Sequence, residues 1–323
     1  MAPKVDVVGL GSCAVDFFAI VPRLLDSGEK INATRMEIHA GGVTANNLTQ
    51  VARLGVSTGW LGLIGDDENG RIIQKAFADD AMDLSGVEVM RGERSALTWI
   101  PVNPEGERCV YMFPNVTGKL SIFHVRNRFA AHIRGAKHFH TEASQLPILP
   151  LKEGMRVAKE AGVRIFMDMD VTPRFFAQMN LGRQEELCDA LKLVDVLKPC
   201  KAAAREMTGI ADYSRMADHL LNLGPKIVAI TQGEDGCLIA SREKKVQVPA
   251  FRVNVVDTTG AGDAFLGGLS YGLLQGWDLD RVGIFANACA ALCCTKVGAR
   301  AMFKLDEVLK FLSAKVPMGA PAF

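Results

Sequence analysis

The sequence predicts an α/β protein: a three-layer sandwich with a mainly parallel central sheet, covered by helices on both faces, and a small β-sheet lid. Three observations lead there. Strand-like apolar runs alternate with helical patterns along most of the chain, and two β-rich segments in its first third interrupt that alternation. The composition, 49% hydrophobic and 23% charged over 323 residues, suits a chain that buries a full core.

Residues 5–8 form a short apolar run ending at Gly9, and comparable runs recur at 60–64, 138–140, 165–167, 194–197 and 227–230. Helical periodicity covers 44–54, 70–77, 151–161, 184–193, 214–223, 261–274 and 281–295. A strand followed by a helix returns the chain parallel to itself, so this order implies parallel pairing. The interruptions are 17–21 with 30–39, and 96–102 with 108–113 joined through Asn103-Pro104-Glu105-Gly106. In the second pair Leu97 and Trp99 alternate with polar or small residues, as do Cys109, Tyr111 and Phe113, which suits a hairpin with one buried face. These pieces are expected to form the lid; the other reading makes them an edge extension of the main sheet. The division is then a main domain of 1–16, 40–94 and 114–323 and a lid of 17–39 and 95–113, without repeat, low-complexity tract or linker.

Lysine and arginine number 37 against 36 acidic residues, so no global field draws the chain to nucleic acid or anionic lipid, and any anion must be held locally. No apolar run reaches membrane-spanning length. The first residues, Met-Ala-Pro-Lys-Val-Asp-Val-Val, enter a strand-like segment with no room for an export signal, so a cytoplasmic location is expected. The eight cysteines, at 13, 109, 188, 200, 237, 289, 293 and 294, show no C-x-x-C pairing and read as reduced. Cys289 and Cys293 have the spacing of a metal pair on one helix face, but their apolar neighbours favour core packing.

The most informative segment is Asp257-Thr258-Thr259-Gly260-Ala261-Gly262-Asp263-Ala264-Phe265, which follows a β-rich run at 251–256 and opens a helical pattern. Glycine lets a backbone approach a ligand closely, and consecutive N–H groups at a helix start cradle an anion. Asp263 within such a cradle is placed to take a proton from a hydroxyl attacking a phosphoryl group. The plainer alternative is a strand-to-helix turn shaped by glycine, with Asp263 as a helix cap.

D-T-x-G-A-G-D-A-F closely resembles the C-terminal signature of the ribokinase-like (PfkB) carbohydrate kinases. Gly41-Gly42-Val43-Thr44-Ala45-Asn46, then Ala52-Arg53-Leu54-Gly55 and Leu63-Ile64-Gly65-Asp66-Asp67-Glu68-Asn69-Gly70, resemble that family's N-terminal signature. The resemblance implies an ATP- and Mg²⁺-dependent kinase acting on a hydroxyl of a small sugar-like molecule. Asp263 would be its base and the amides of Gly260, Ala261 and Gly262 its anion hole. It also implies that Asp16, Gly42 and Asn46 hold the substrate; the local alternatives are a solvated loop acid for Asp16 and a helix cap for Asn46. Thr231, Gly233 and Gly236 match a T-x-G-x-x-G turn along ATP, where a plain hairpin would look the same, and Asn287 matches a position near the adenine. Asp257 and the loop at Gly298 match parts of a monovalent-cation (K⁺) site.

Gly9-Leu10-Gly11-Ser12-Cys13-Ala14 mimics a dinucleotide-binding turn, but the extended 15–22 that follows is not the helix a pyrophosphate needs. A Walker motif and the protein-kinase motifs are absent. One departure from the family stands out. After Lys198-Pro199 the usual N-x-x-E, which orders water around magnesium, is replaced by Cys200-Lys201-Ala202-Ala203, with Glu206 as the nearest substitute. This keeps a weak or inactive sugar- or nucleotide-binding member as an alternative, beside a nucleoside kinase of the same fold. Asp168-Met169-Asp170-Val171-Thr172 resembles a stretch of sugar-acid and fructose kinases, with Thr172 where arginine is common. Lys30, Arg35, His39, Arg108 and Tyr111 fall on the lid as contacts for an anionic substituent or as solvated faces. Leu97, Trp99 and Phe113 on so small a hairpin predict a homodimer through the lid.

Overall fold

The computed structural model describes residues 4–315. Residues 1–3 and 316–323, which fall in the expected main domain, lie outside the described residues. The strands in chain order are β1 Val7–Leu10, β2 Ala14–Ile20, β3 Arg35–Gly41, β4 Thr58–Gly65, β5 Val87–Met90, β6 Leu97–Val102, β7 Tyr111–Phe113, β8 His138–Glu142, β9 Arg164–Met169, β10 Val196–Pro199, β11 Ile227–Thr231, β12 Cys237–Ser241 and β13 Lys245–Val248.

Nine of them form one sheet in the order β13-β12-β11-β10-β9-β8-β1-β4-β5. Pairing is parallel from β11 to β5 and antiparallel only across the β11–β12 and β12–β13 hairpins. The central strands are almost wholly buried on both sides, as a sheet sandwiched by helices requires. β1 has β4 on one side and β8 on the other, so the chain reverses its direction of travel across the sheet there. The carboxyl ends of strands beside such a switch point diverge into a crevice, the usual ligand position in open α/β sheets. Helix Ala261–Leu274 packs against Val43–Arg53 and Leu279–Cys293. No described helix is long and apolar enough to cross a membrane.

The remaining strands form a separate four-stranded sheet, β3-β2-β6-β7. Its cross-strand rows alternate in character. The row Ile38–Phe17–Trp99–Tyr111 is apolar, with Trp99 39% and Tyr111 56% exposed. The next, His39–Asp16–Thr98–Met112, carries the polar groups on the opposite face.

Three details differ from the sequence reading. Pairing in the small sheet starts at Ala14 and runs to Gly41, so Asp16, Ala40 and Gly41 sit on its strands rather than in the main domain, and Lys30 precedes the strand. The 96–102/108–113 hairpin is paired at Leu97–Trp99 with Tyr111–Phe113 and at one further bridge, Val102 to Arg108. Finally, 251–256 forms no strand. β13 ends at Val248 and Pro249 has no N–H to donate, so the ladder stops there.

Candidate active site

The loop entering helix Ala261–Leu274 is held from both sides. Asp257 accepts from Thr259 N–H (2.9 Å) and Oγ1 (2.7 Å) through one oxygen and from Gly298 N–H (2.9 Å) through the other. Burial raises its carboxyl, but the hydrogen bonds from Gly298 and Thr259 outweigh that and leave it below the usual range. Gly260 then adopts a left-handed φ of 81°, and a Cβ there would lie 2.1 Å from the Ala299 carbonyl, so only glycine fits. Ala261 N–H donates to Thr258 O (3.2 Å), which leaves the amides of Gly260 and Gly262, rather than all three, without a partner among the described residues.

Asp263 lies in the first turn at 8% exposure. Asn46 Nδ2 donates to its Oδ2 (2.8 Å) across 217 residues of sequence, and Arg300 Nε donates to Asn46 Oδ1 (3.1 Å), fixing which way that amide faces. The cap of helix Val43–Arg53 is Gly42, at φ 102°, so Asn46 is not a helix cap. Burial pushes the Asp263 carboxyl well above the ordinary range, the charges of Asp168 and Asp170 add to this, and Lys198 and the Asn46 hydrogen bond draw it back. Asp16 is 9% exposed on the polar face of the small sheet, not a solvated loop acid. Burial raises its carboxyl to about 6 against a hydrogen bond from Thr98 and the charges of Arg300 and His39.

Sequence reasoning missed three groups that the tertiary structure brings to this region. Glu142, fully buried at the end of β8, accepts at Oε2 from Ser12 N–H (3.1 Å) and Oγ (2.9 Å) and from Thr44 N–H (2.9 Å) and Oγ1 (2.7 Å), and at Oε1 from Ser144 Oγ (2.6 Å). It thereby ties the β1 exit to the start of helix Val43–Arg53 at the switch point. Lys198, 2% exposed on β10, pairs with both oxygens of fully buried Asp168 at 3.0 Å. Burial opposes the lysine's charge, yet Asp168, Asp170 and Asp263 hold the ammonium above its usual range. Arg300 is the third. Single residues of these types on strand ends and loops give no sequence signal.

The nucleotide-side residues meet on another segment. Gln232 N–H donates to Gly236 O (2.8 Å) and closes the 231–236 turn, a Cβ on Gly236 would lie 2.0 Å from Val248 O, and Asn287 Nδ2 donates to Val248 O and Pro249 O at 3.1 Å each. Thr231 ends β11, and Gly233 opens the tight turn. Cys200 caps helix Lys201–Thr208, its Sγ accepting from Ala203 N–H at 3.4 Å. Glu206, on the same helix, accepts from Arg174 N–H (2.6 Å).

Of the lid candidates, Arg108 donates to Thr259 Oγ1 (3.3 Å), joining the small sheet to the glycine-rich loop, while Arg35 and His39 pair with Glu37. Tyr111 is on the outer apolar face, and a cavity of about 220 Å³ between the small sheet and the 144–147 and 179–181 segments is lined by Leu97, Thr98, Met112 and Phe113. Cys289 and Cys293 are buried free thiols, and among the described residues no group of three or more His, Cys, Asp or Glu is arranged to hold a metal.

Comparison with known proteins identifies the family and the fold. The chain is 30% identical over 322 residues to fructokinase-1 of Oryza sativa subsp. japonica, covering 95% of this chain and 98% of that one. It is 31% identical over 288 residues to the aminoimidazole riboside kinase of Salmonella typhimurium, covering 85% and 88%. In fold it is similar to Arabidopsis thaliana ribokinase, solved with ribose and ATP, at a TM-score of 0.83 and 24% identity, covering 96% of this chain and 99% of that one. The sequence pattern of the pfkB family carbohydrate kinases matches residues 4–305, both glycine-rich signatures included, and the chain belongs to that family.

Proposed function

We propose that this carbohydrate kinase transfers the γ-phosphoryl group of ATP to a hydroxyl of a small sugar or sugar-like molecule, with Asp263 as general base. The observation that carries the reading is the Asn46–Asp263 hydrogen bond at the start of helix Ala261–Leu274. It unites the two signatures and sets a carboxylate of raised pKa beside two unpartnered amides. A base matched to neutral pH takes the acceptor proton most effectively, and fixed N–H dipoles stabilise the charge that spreads over the phosphoryl oxygens.

The acceptor binds beneath the small sheet, which acts as its lid. Asp16 and Asn46 receive hydroxyls there, Gly42 lets the backbone approach, and Glu142 holds the crevice in shape. ATP lies along the Thr231–Gly236 turn, with its base toward Asn287. Asp170, exposed beyond β9 and acting on both Asp263 and Lys198 through its charge, would hold a magnesium ion bound with ATP, since such an ion needs only one or two protein carboxylates, and the ion would supply charge neutralisation at the phosphates. Asp257 and Gly298, joined at 2.9 Å, are the place for a monovalent cation. Met36, Ile38, Trp99 and Tyr111 leave an apolar face on the small sheet that a second copy of the chain covers. Light scattering checks this; a monomer at micromolar concentration rejects it.

The test of the main reading is ATP depletion with a panel of fructose, ribose, aminoimidazole riboside, sugar acids, inositol and nucleosides. Turnover with one of these supports the kinase; ligand binding without turnover on any supports a binding protein instead.

A further inference from the structure

Arg300 forms no ion pair among the described residues, yet it stands beside both carboxylates of the kinase reading. From the loop before helix Leu305–Lys315 its Nε donates to Asn46 Oδ1 (3.1 Å) and its Nη2 reaches Cys13 Sγ (3.8 Å) between β1 and β2. Its Cζ lies 5.1 Å from the centre of the Phe77 ring on helix Glu68–Asp79. Nη1 is buried without a partner among the described residues. Withholding a charged N–H from water with nothing to receive it costs stability, so the fold by itself gives no reason for an arginine here.

The reason lies in what a guanidinium does to an amide. The two ends of an asparagine side chain are alike in shape, and only its partners fix which way it faces. Arginine has donors and no acceptor, so the Asn46 atom turned to it is the oxygen, and the nitrogen is left to donate to Asp263 Oδ2 (2.8 Å). Turned the other way, the amide would offer Asp263 an oxygen, which bonds only the protonated acid. The cation also polarises the amide and strengthens the bond its nitrogen gives.

That bond counts because most of the surroundings oppose a charge on Asp263. Facing it are Asp168 and Asp170 from β9 and its end, Lys198 from β10, Cys293 from helix Leu279–Cys293, and Asn46. Burial and the two aspartates raise its carboxyl, while Lys198 and Asn46 draw it back. The charge of Arg300 is felt separately by Asp16, which also faces Thr98 and His39.

We propose that Arg300 is a positioning residue that locks the Asn46 amide with its nitrogen on Asp263 Oδ2, so that the base meets the acceptor hydroxyl as an ionised carboxylate with Oδ1 free. It acts through Asn46 and takes no part in the proton transfer itself.

This role rests on the kinase reading, so it is measured in two ways, one of which needs no turnover. The first is the acid limb of the pH profile of kcat/KM for the acceptor. The second is the titration of the Asp263 carboxyl by NMR of ¹³C-aspartate-labelled protein, assigned with Asp263→Asn. Arg300→Met keeps a side chain over Phe77 and removes every donor, whereas Arg300→Lys keeps donors without an acceptor. Arg300→Met is expected to raise the limb and the NMR midpoint by about one pH unit, lowering kcat/KM about 10-fold below the limb and less than about twofold above it. Arg300→Lys is expected to hold both within about 0.3 pH unit of wild type. In an Asn46→Ala background Arg300→Met is expected to add less than about twofold at any pH, since the link is already cut. Should Arg300→Met fail to fold by thermal melting, Arg300→Gln takes its place; glutamine accepts as readily as it donates, no longer dictates the orientation, and is expected to shift both readouts upward. A folded variant of either kind whose limb and midpoint match wild type overturns the proposal. So does an equal loss at every pH in Arg300→Met and Arg300→Lys, the mark of a merely structural role, and so does full additivity with Asn46→Ala. Absence of wild-type turnover on every acceptor counts against the kinase reading, and the NMR midpoint then still decides on Arg300.

Discussion

At its first turn helix Ala261–Leu274 places Asp263 among Asp168, Asp170 and Lys198; two turns later it places Ser270 between two histidines. Both clusters are buried, and they are built in opposite ways. Ser270 Oγ lies 3.0 Å from His138 Nδ1 and 2.8 Å from His140 Nε2, and His140 Nδ1 lies 3.0 Å from Asn47 Oδ1. An amide oxygen only accepts, so His140 carries its proton on Nδ1, Nε2 accepts from the serine hydroxyl, and His138 Nδ1–H donates to that serine. Burial keeps both rings neutral, the His138 pKa falling to about 3 and that of His140 well below its usual value. Every group in that chain is uncharged. At the first turn burial pushes the Asp263 carboxyl well above its ordinary range, against the pull of the Lys198 ammonium and the Asn46 hydrogen bond. Burial of polar groups does not by itself mark a candidate site; a strongly shifted carboxyl beside unpartnered donors does.

The comparison breaks most visibly at Asp263. Asp263→Asn is expected to lower kcat at least about 100-fold with ATP affinity nearly unchanged, and full activity in that variant removes it as the base. Next is Asn46→Ala, which frees the carboxylate it orients. A loss of about 10-fold in kcat/KM for the acceptor, with KM for ATP unchanged, is expected; calorimetry showing equal losses for both ligands contradicts the placement.

Acidity separates the clusters by sign. Asp16 has a folded-state pKa of about 6 against 3.8 unfolded, so its ionisation favours the unfolded chain and stability is lost as pH rises through that window. Asp16→Asn is therefore expected to gain on the order of 1–3 kcal/mol at pH 8 and nothing near pH 3 in denaturant titrations. The histidines act the other way: their depressed pKa contributes stability present above about pH 6.5 and lost as pH falls. A variant with the same gain at both pH values shows that the Asp16 carboxyl is not strained.

The smallest effect on turnover is expected at Ser270. Ser270→Ala leaves two ring nitrogens without a partner and should cost about 1–3 kcal/mol of stability while kcat stays within about twofold. A loss of turnover rivalling that at Asp263 joins the two clusters into one machine and ends the distinction.

Alternation of strand and helix, the interruptions that became the small sheet, and the glycine-rich turn with Asp263 were legible in the sequence because each rests on local periodicity or local backbone geometry. The helix 261–274 begins and ends where its pattern does. The β-rich run 251–256 forms no strand: Pro249, without an N–H, ends the β13 ladder, and Val255 and Val256 beyond it stay exposed. Asp16 and Asn46 were reached through resemblance, and their roles as buried partners depended on strands and helices far away in sequence.

The sequence by itself determined the layers, the order of elements and the place of the glycine-rich turn before helix Ala261–Leu274, since those follow from repeats of two and 3.6 residues and from glycine's freedom. Only the tertiary structure decided which carboxylates are buried and which partners they meet. Lys198 lies 30 residues from Asp168, Ser12 130 from Glu142, and Arg300 254 from Asn46. Nothing local pairs them, and a charge's energy depends on the solvent it loses and the partner it meets, both of which exist only once the strand ends and helix starts have been folded together.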